Sequence, residues 1–371
     1  MIYIHIPFCR SFCTYCDFYS EVAAKCRRAE DGSRQEALFE GFVKALGCEI
    51  AHRADEMSSE VNTLYIGGGT PSVLPLSAYA SVLSSLSAAG ITSPFDEFTF
   101  EVNPEDVVEK GAAYVKGLLD LGVNRISMGV QSFDDGILKW MNRRHDAQTA
   151  RKAYVILEEA GGKNISIDLI YGLPSQTLEG WSENLQKAVA LDVPHISSYH
   201  LTYEEGTVLY LQAQKGKIAP VNEELSVEMF RTLRQTLLAA GYEHYEISNF
   251  AKPGLEAKHN SSYWDGTKYL GIGPAAHSFD GDTRHWNFAD TRGYIDALAR
   301  GEFPCETEVL TEADRYNEFV MTSLRTAKGI SLNSLLTKFG EKMRDFCLKS
   351  AAPFLKNGTL EDKNGNLRLT E

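Results

Sequence analysis

Three cysteines stand within eight residues near the start of the chain, in the spacing Cys9-x3-Cys13-x2-Cys16. Neighbouring loop positions point in different directions, so the three cannot all be core residues, and such a cluster is typical of a metal centre. Structural zinc usually takes four ligands, often as two CxxC pairs, and the sequence has no second pair. Three cysteines can instead hold three irons of a four-iron cluster and leave the fourth iron open to a small ligand, which makes it reactive. Zinc and a chance grouping are the alternatives.

The remaining cysteines lack partners at ligand spacing. The odd total of seven in a chain of 371 residues argues against a disulfide framework. We expect each of these four to be a small buried or surface thiol: Cys26, Cys48, Cys305 and Cys347.

The cysteine cluster follows the first of six short runs rich in β-branched or apolar residues, which we expect to be strands. Stretches with helical periodicity lie between the runs, and glycines stand where helix C-caps are expected. This alternation predicts right-handed crossovers and a parallel sheet, open or closed into most of a barrel. The expected strands are 2–6, 63–66, 98–102, 125–130, 165–170 and 195–199; the expected helices are 35–53, 76–89, 107–121, 147–160, 178–191 and 223–240; the capping glycines are Gly90, Gly122, Gly161 and Gly241.

Unusual segments also follow the later strands. In parallel α/β architectures, functional groups gather at the carboxyl ends of the strands. We therefore expect one edge of one sheet to hold the cysteines together with these segments: Gly67-Gly68-Gly69-Thr70-Pro71, Glu101-Val102-Asn103-Pro104, Gly129-Val130-Gln131-Ser132-Phe133, and Asp168 ahead of Tyr171-Gly172-Leu173-Pro174.

The pattern changes after this α/β part, which we expect to span residues 1–241. Residues 242–310 are aromatic-rich, bear histidines and show few clean periods, so we expect an irregular connecting region. Residues 311–371 are expected to form a small winged-helix-like domain, with Asn364-Gly365 at a hairpin turn. Its 10 basic and 8 acidic residues are too evenly balanced to indicate DNA binding.

Composition narrows the function classes. Hydrophobic residues make up 43% of the chain and charged residues 23%, which is ordinary for a globular protein and excludes wholesale disorder. The net charge of −13 argues against nucleic-acid partners, because an acidic surface repels phosphate backbones. No apolar run is long enough to span a bilayer and the first residues do not read as a signal peptide, so we expect a cytoplasmic protein without an integral membrane segment.

The cysteine element, coming directly after Tyr3-Ile4-His5-Ile6-Pro7-Phe8, is similar to the signature of the radical S-adenosylmethionine (SAM) superfamily. With the later motifs, the resemblance covers essentially the whole chain. It implies an α/β fold with a partial (β/α)6 barrel, a [4Fe-4S] cluster on Cys9, Cys13 and Cys16, and SAM chelating the open iron. Within the superfamily, the chain resembles the coproporphyrinogen III oxidase-like branch, which contains a coproporphyrinogen III dehydrogenase and the HemW-type heme chaperones.

The branch pattern implies a SAM site built from successive strand ends. It implies that Tyr3 and Tyr15 lie next to the cofactor. It also implies that the loop containing Gly68, Gly69 and Thr70 binds the methionyl amino group of SAM. Glycines suit such a loop because they permit close approach of a ligand, and no Lys-Ser/Thr follows as in a P-loop. Taken alone, each of the remaining polar residues of the pattern could be an ordinary surface residue. Because they lie at the ends of successive strands, a shared site is favoured. Carboxylates there can bind ribose hydroxyls or an ammonium group, and arginine can bind the methionine carboxylate; these residues are Glu101, Gln131, Arg143 and Asp168.

Three features distinguish the two functions of the branch. The dehydrogenase has a fourth cysteine two residues after the third, where this chain has Phe18, and a long N-terminal extension, where only two residues precede Tyr3. Conversely, His259-Asn260-Ser261-Ser262-Tyr263-Trp264 matches the HNxxYW motif of the heme chaperones. Imidazole can ligate heme iron, while tyrosine and tryptophan offer flat surface to a porphyrin. We expect His259, Tyr263 and Trp264 to contact heme, with His200 and His277 as weaker candidates.

The sequence therefore predicts a heme chaperone that binds heme and passes it to an acceptor apoprotein, with the cluster and SAM in a supporting role. The resemblance also implies a homodimer promoted by the cluster. The chief alternative is a radical SAM oxidoreductase acting on a porphyrin, and a more distant one is a DNA-binding regulator that uses the C-terminal domain.

Overall fold

A computed structural model describes residues 1–22, 29–57, 61–92 and 94–370, with residues 29–32 described by their backbone only; Cys26 lies outside these ranges. Within residues 1–241, parallel strands alternate with helices, which confirms the α/β prediction. The strands are β1 (Ile2–Ile6), β2 (Phe8–Cys9), β3 (Glu21–Val22), β4 (Thr63–Gly68), β5 (Glu97–Val102), β6 (Arg125–Gln131), β7 (Ile165–Tyr171) and β8 (His195–His200). The helices are α1 (Ala29–His52), α2 (Leu76–Ala88), α3 (Pro104–Asp120), α4 (Asp135–Trp140), α5 (Ala147–Glu159), α6 (Leu178–Ala190), α7 (Val208–Gln214) and α8 (Glu223–Ala239).

Glycines end four of these helices as predicted. Gly90, Gly122, Gly161 and Gly241 have φ values of 87°, 96°, 108° and 83°. A side chain disfavours this left-handed backbone, so glycine is the usual residue just beyond a helix end. The helices therefore stop where the chain must turn back toward the next strand.

Residues 242–310 differ from the expectation of an irregular region. They form short elements: β9 (Glu243–Glu246), β10 (Asn249–Ala251), α9 (Lys258–Trp264), β11 (Leu270–Ile272), β12 (His277–Phe279), β13 (Thr283–Asn287), α10 (Thr291–Ala299) and β14 (Cys305–Val309). Three of these strands complete the main sheet, whose order is β11-β1-β4-β5-β6-β7-β8-β10-β9. β11 is parallel to β1, whereas β10 is antiparallel to β8. Strands of three or four residues are too short to show a period, so the sequence pattern missed them.

The two faces of the main sheet differ in chemistry. Alternate side chains, such as Ile4, Ile66 and Phe100, are fully buried in the hydrophobic core with residues of the helices. On the opposite face, the registers Tyr3↔Tyr65, Glu101↔Ser127 and Asp168↔Ser197 align polar side chains across neighbouring strands. This alternation follows from the two-residue period of a strand. It gives the sheet one polar face on which a site can be built.

The C-terminal residues form a separate small core. Its elements are α11 (Glu312–Leu324), β15 (Ile330–Ser331), α12 (Leu332–Lys356), β16 (Leu360–Lys363) and β17 (Asn366–Leu369). Gly340, at φ 79°, breaks α12 into two helices, and Asn364 and Gly365, at φ 56° and 81°, make the predicted hairpin turn. The helices pack with a three-stranded sheet of order β15-β17-β16. Across the described residues, no helix has both the length and the apolar character needed to cross a membrane.

Candidate functional site

A cavity of about 650 Å³ opens at the carboxyl ends of the strands. It is lined by most of the residues singled out from the sequence, so the predicted convergence at one sheet edge is present. These residues are Cys9, Cys13, Tyr15, Cys16, Gly68, Gly69, Thr70, Glu101, Gln131, Arg143 and Asp168. The cavity wall does not include Tyr3, His259, Tyr263 or Trp264.

The segment leading into the cysteine loop (residues 9–16) is held by backbone hydrogen bonds to the glycine loop at the end of β4 (residues 67–70). Gly69 N donates to Ile6 O at 2.8 Å and Thr70 N donates to Phe8 O at 2.7 Å. Two side chains then reach the sulfurs: Thr70 Oγ1 lies 3.5 Å from Cys9 Sγ, and Arg143 Nη1 lies 3.5 Å from Cys13 Sγ. The thiols are thus held by the fold itself.

The surroundings of the three thiols affect their pKa values and the kind of metal group that they could bind. Burial raises the pKa of Cys9 and raises that of Cys16 to about 12, and neighbouring thiols add to both shifts. Among the described residues, however, no three His, Cys, Asp or Glu side chains are arranged around a single metal ion. A four-iron cluster takes each thiolate on a different iron and does not require such convergence. Three thiols on one loop can therefore serve as the ligands of three irons of such a cluster.

The three glycines at the end of β4, of which Gly67 and Gly68 are its last residues and Gly69 follows it, are required by the packing of the chain. A Cβ on Gly67 would lie 2.6 Å from Tyr65 Cε1, and one on Gly68 would lie 2.6 Å from the His5 ring. A Cβ on Gly69 would lie 2.8 Å from Phe8 O and 3.1 Å from Cys9 Sγ. Contacts this short force atoms apart. The sequence suggests close ligand approach as the reason for these glycines, and the structure adds close approach of the cysteine loop.

Two buried carboxylates face the cavity. Glu101 accepts from Tyr65 Oη at 2.6 Å and from Gly68 N at 3.1 Å. Burial, reinforced by Asp168, raises the pKa of Glu101 to about 7. Burial also raises the pKa of Asp168 to about 6, although Ser197 and Arg125 oppose the shift. Such a pair gains from a ligand that brings positive charge or hydroxyl donors, because both favour the ionised form.

Arg143 bridges the strand ends and the cysteine loop. Its Nη2 donates to Asn103 Oδ1 at 2.8 Å and to Gly129 O at 2.7 Å, while its buried Nε has no acceptor among the described residues. Gln131, close by on the cavity wall, has an unusual φ of 68° for a residue with a side chain. Both features are expected where a backbone is shaped to receive a ligand.

The tyrosines differ in position. Tyr15 lines the cavity, whereas Tyr3 hydrogen-bonds His5 Nδ1 at 2.9 Å and lies with its ring 6.0 Å from that of Tyr65. Tyr65 in turn binds Glu101. Tyr3 is therefore placed behind the cavity wall.

The HNxxYW segment forms α9, which packs against β4 and β5. His259 is fully buried: Nδ1 lies 2.9 Å from Thr63 Oγ1, Nε2 lies 3.2 Å from Tyr263 Oη, and its backbone N donates to Glu97. Burial lowers the pKa of His259 to about 3. The expectation that His259 offers its imidazole to heme does not match this geometry, because both ring nitrogens are engaged inside the protein.

Further residues line the cavity, and the sequence had singled out only some of them. Asn260 of the same motif lines it, as do Tyr199, His200 and Ile247 near the β8 and β9–β10 edge. Arg325, which directly follows α11, also lines it. His277 is exposed on β12 beside Trp286 and is not part of the cavity wall. Of these, His200 was visible as a strand-end histidine, while Arg325 carried no signal because it lies far away in sequence.

Comparisons with known proteins agree with this architecture. Residues 3–188 match the family model of the radical SAM superfamily, and residues 310–371 match that of the HemN C-terminal domain. The chain is 33% identical over 371 residues to heme chaperone HemW of Bacillus subtilis, covering 99% of this chain and 94% of that protein. It is 34% identical over 335 residues to heme chaperone HemW of Haemophilus influenzae, covering 89% and 83%.

A solved structure has the same fold. Coproporphyrinogen III oxidase (HemN) from Escherichia coli, described as a radical SAM enzyme, superimposes with a TM-score of 0.81 at 24% identity, covering 100% of this chain and 86% of that one. The similarity extends through the C-terminal part as well as the sheet.

Proposed function

The chain belongs to the radical SAM superfamily, within the group of the HemW heme chaperones, and from that premise we propose that it is itself a heme chaperone. It binds heme at the cavity on the polar face of the sheet and transfers it to an acceptor apoprotein. The observation that carries the proposal is that α9, the HNxxYW helix, contributes Asn260 to the wall of the same cavity that the cysteine loop closes.

The cluster and SAM belong to the supporting part of the proposal. Cys9, Cys13 and Cys16 would hold a [4Fe-4S] cluster, and Glu101, Asp168, Gln131 and Arg143 would receive SAM together with the glycine loop. When bound, the cluster and SAM would together supply one-electron redox chemistry. The three thiols on the cavity wall, the two buried carboxylates and the unpartnered Arg143 Nε support this assignment.

His259 then supports the motif from inside the protein. Its bonds to Thr63 and Tyr263 and its ring contact with Tyr65, at 5.2 Å, join α9 to the tyrosine that binds Glu101. Within the motif, direct heme contact falls to Asn260, which lines the cavity, whereas the ring of Trp264 packs against the guanidinium of Arg325. His200 is the one histidine of the cavity wall, and all nine histidines of the chain lie within the described residues.

A second candidate function is a radical SAM oxidoreductase acting on a porphyrin, which the complete set of cavity residues would also suit. Phe18 argues against it, since this side chain is 66% exposed at the cavity edge where the dehydrogenase of the branch has a fourth cysteine. The test incubates the cluster-containing protein with coproporphyrinogen, SAM and a reductant, and in parallel incubates its heme-loaded form with an apocytochrome. We expect heme transfer and no vinyl product. Vinyl product without transfer would overturn the chaperone assignment.

The affinity for SAM is expected to rise with pH through the range about 6 to about 7, the pKa values of Asp168 and Glu101. SAM is cationic, so each carboxyl favours it only when ionised, and one group can change affinity by up to about tenfold per pH unit below its pKa. The stability of the ligand-free protein should change with pH in the opposite direction to the affinity for SAM. Its free energy of unfolding should fall as pH rises from the ordinary value of 4.5 for Glu101 toward about 7, because the native state holds that proton more tightly.

Calorimetric titration of SAM at several pH values measures the first effect, and urea unfolding measures the second. The Glu101→Gln/Asp168→Asn double variant is the control, and it should show weak binding without that pH dependence. An affinity of the unsubstituted protein that stays constant across this range would contradict the assignment of the two carboxylates.

Two further parts of the proposal rest on the family resemblance. We assign the protein to the cytoplasm, where thiols stay reduced, and we assign it a homodimer promoted by the cluster. Gel filtration with and without the cluster tests the second assignment, which predicts a larger species only in the cluster-containing sample.

A further inference from the structure

Arg325 is the only cation that the C-terminal part contributes to the described cavity wall. It directly follows α11, and its backbone carbonyl accepts from Ile247 N at 3.0 Å, which ties it to the turn between β9 and β10. Its guanidinium stacks 4.3 Å from the ring centre of Trp264, the last residue of the HNxxYW helix. One side chain therefore joins the C-terminal part, the sheet edge and the motif at the cavity.

Glu246 holds this guanidinium at one edge. Arg325 Nη2 lies 3.2 Å from Glu246 Oε2 and 3.5 Å from Ser248 Oγ. Glu246 is 2% exposed and also accepts from Ser248 N and Asn249 Nδ2, so its requirement for donors is shared among several groups. A planar guanidinium group that is hydrogen-bonded along one edge keeps its orientation, and its other edge can bind a second acceptor.

Two donors of this stacked pair lack partners. Arg325 Nε and Trp264 Nε1 are both buried, and neither has an acceptor among the described residues. Buried N–H groups are almost always hydrogen-bonded, so two unpartnered donors in contacting groups indicate that an acceptor belongs there. The Arg325 side chain is nevertheless 33% exposed, so a ligand in the cavity can reach it.

The other arginines of the cavity wall are differently placed. Arg10 is bound to Glu109 and Asp106, and Arg143 binds Asn103, Gly129 O and Cys13 beside the cysteine loop. Arg144 is exposed next to Arg143. Only Arg325 stands at the HNxxYW side of the cavity.

We propose that Arg325 binds a carboxylate of the ligand, with Trp264 as the flat support beneath its guanidinium. Resting on the proposed function, the carboxylate is a propionate of the porphyrin. Arginine matches a carboxylate because its N–H groups can donate in pairs to both oxygens. The C-terminal part thus contributes directly to ligand recognition.

The test compares heme with heme dimethyl ester, in which both propionates are blocked. The cluster-containing protein is titrated with each and followed by the Soret band. We expect it to bind heme at least about tenfold more tightly than the ester. Arg325→Gln should bind heme about tenfold to hundredfold more weakly, the range for a hydrogen bond to a charged group, and leave ester binding nearly unchanged. Arg325→Lys should recover only part of the loss, since it restores charge without the planar fork.

Arg315→Gln is the matched control. Arg315 lies on the preceding helix α11, pairs with Asp282 at 2.6 Å and does not line the cavity, so the same change of charge should leave heme binding unaltered. Because Arg325→Gln leaves Glu246 buried without its ion pair, Arg325→Gln/Glu246→Gln provides a second variant that removes both charges. It should show the same loss of discrimination between heme and ester.

The outcomes separate the two proposals. Equal binding of heme and ester by the unsubstituted protein would overturn the role of Arg325 and leave the chaperone proposal standing. If the unsubstituted protein binds neither heme nor its ester, both the role of Arg325 and the chaperone proposal are overturned. A loss of SAM affinity in Arg325→Gln with heme affinity intact would assign the carboxylate to the methionine group of SAM instead, and would also overturn the propionate assignment.

Discussion

Replacing Cys13 with serine is expected to remove the iron–sulfur cluster almost completely. The three thiols are the only cysteines on the cavity wall in the described part of the chain, so no neighbour can take the place of Cys13. Serine is nearly the same size but offers a hard oxygen in place of the soft sulfur that iron–sulfur clusters prefer. The iron and sulfide contents of the reconstituted protein, with its visible absorption, measure the effect.

Cys305→Ser is the control for this substitution. Cys305 is exposed on β14 and is a free cysteine outside the cysteine loop, so its replacement should leave the iron and sulfide contents unchanged. Full iron and sulfide in Cys13→Ser would contradict the assignment of the cluster to these residues. Loss in both variants would point to a general effect of the thiols on reconstitution.

Gly69→Ala is expected to disturb both the fold and the cluster site. Its methyl group would lie 2.8 Å from Phe8 O, 2.9 Å from Ile6 O and 3.1 Å from Cys9 Sγ. Two of these atoms belong to the backbone, so the cysteine loop must move. Forced overpacking of this kind costs about 3 kcal/mol of unfolding free energy. Urea unfolding measures that loss, and we expect cluster content to fall with it because the displaced loop carries Cys9.

The matched control is Gly41→Ala in α1. A Cβ there would meet only Ile295 Cγ2, at 3.6 Å, which is an ordinary contact. Alanine is the better helix former, so stability should stay the same or rise by up to about 1 kcal/mol. If Gly69→Ala were as stable as Gly41→Ala and kept its cluster, the close packing of the glycine loop against the cysteine loop would be disproved.

The repeating α/β part could be predicted from the sequence because its signals are local. Strand β1 matches the expected 2–6, and the other five expected strands differ from β4 to β8 by at most two residues at either end. Runs of apolar residues and glycines such as Gly90 and Gly122 mark these elements directly. The convergence at one sheet edge followed from the parallel topology, which places every strand's carboxyl end on the same side.

The short strands that complete the main sheet after residue 241 could not be predicted in the same way. β10 and β11 have three residues each, and their positions depend on partners far away in the chain: β11 lies beside β1 and β10 beside β8. Arg325 reaches the cavity through the same long-range contacts. Single-sequence patterns carry no information about such partners.

His259 illustrates a second limit. Its residue type and motif suggested a heme ligand, but whether an imidazole is available depends on what surrounds it. Thr63 and Tyr263 occupy the two ring nitrogens of His259 in the folded chain. The residue type shows that a side chain is able to ligate iron, whereas only the packing around it shows whether its nitrogen atoms are free to do so.

We propose that this chain binds heme at the cavity lined by both the cysteine loop and the HNxxYW helix. An anaerobic heme titration of the cluster-containing protein, followed by gel filtration and an absorption spectrum, tests it most directly. We expect a Soret band that elutes with the protein in stoichiometric amount and that weakens when Arg325 is replaced by glutamine. Heme that separates from the protein on the column would contradict heme binding at this cavity.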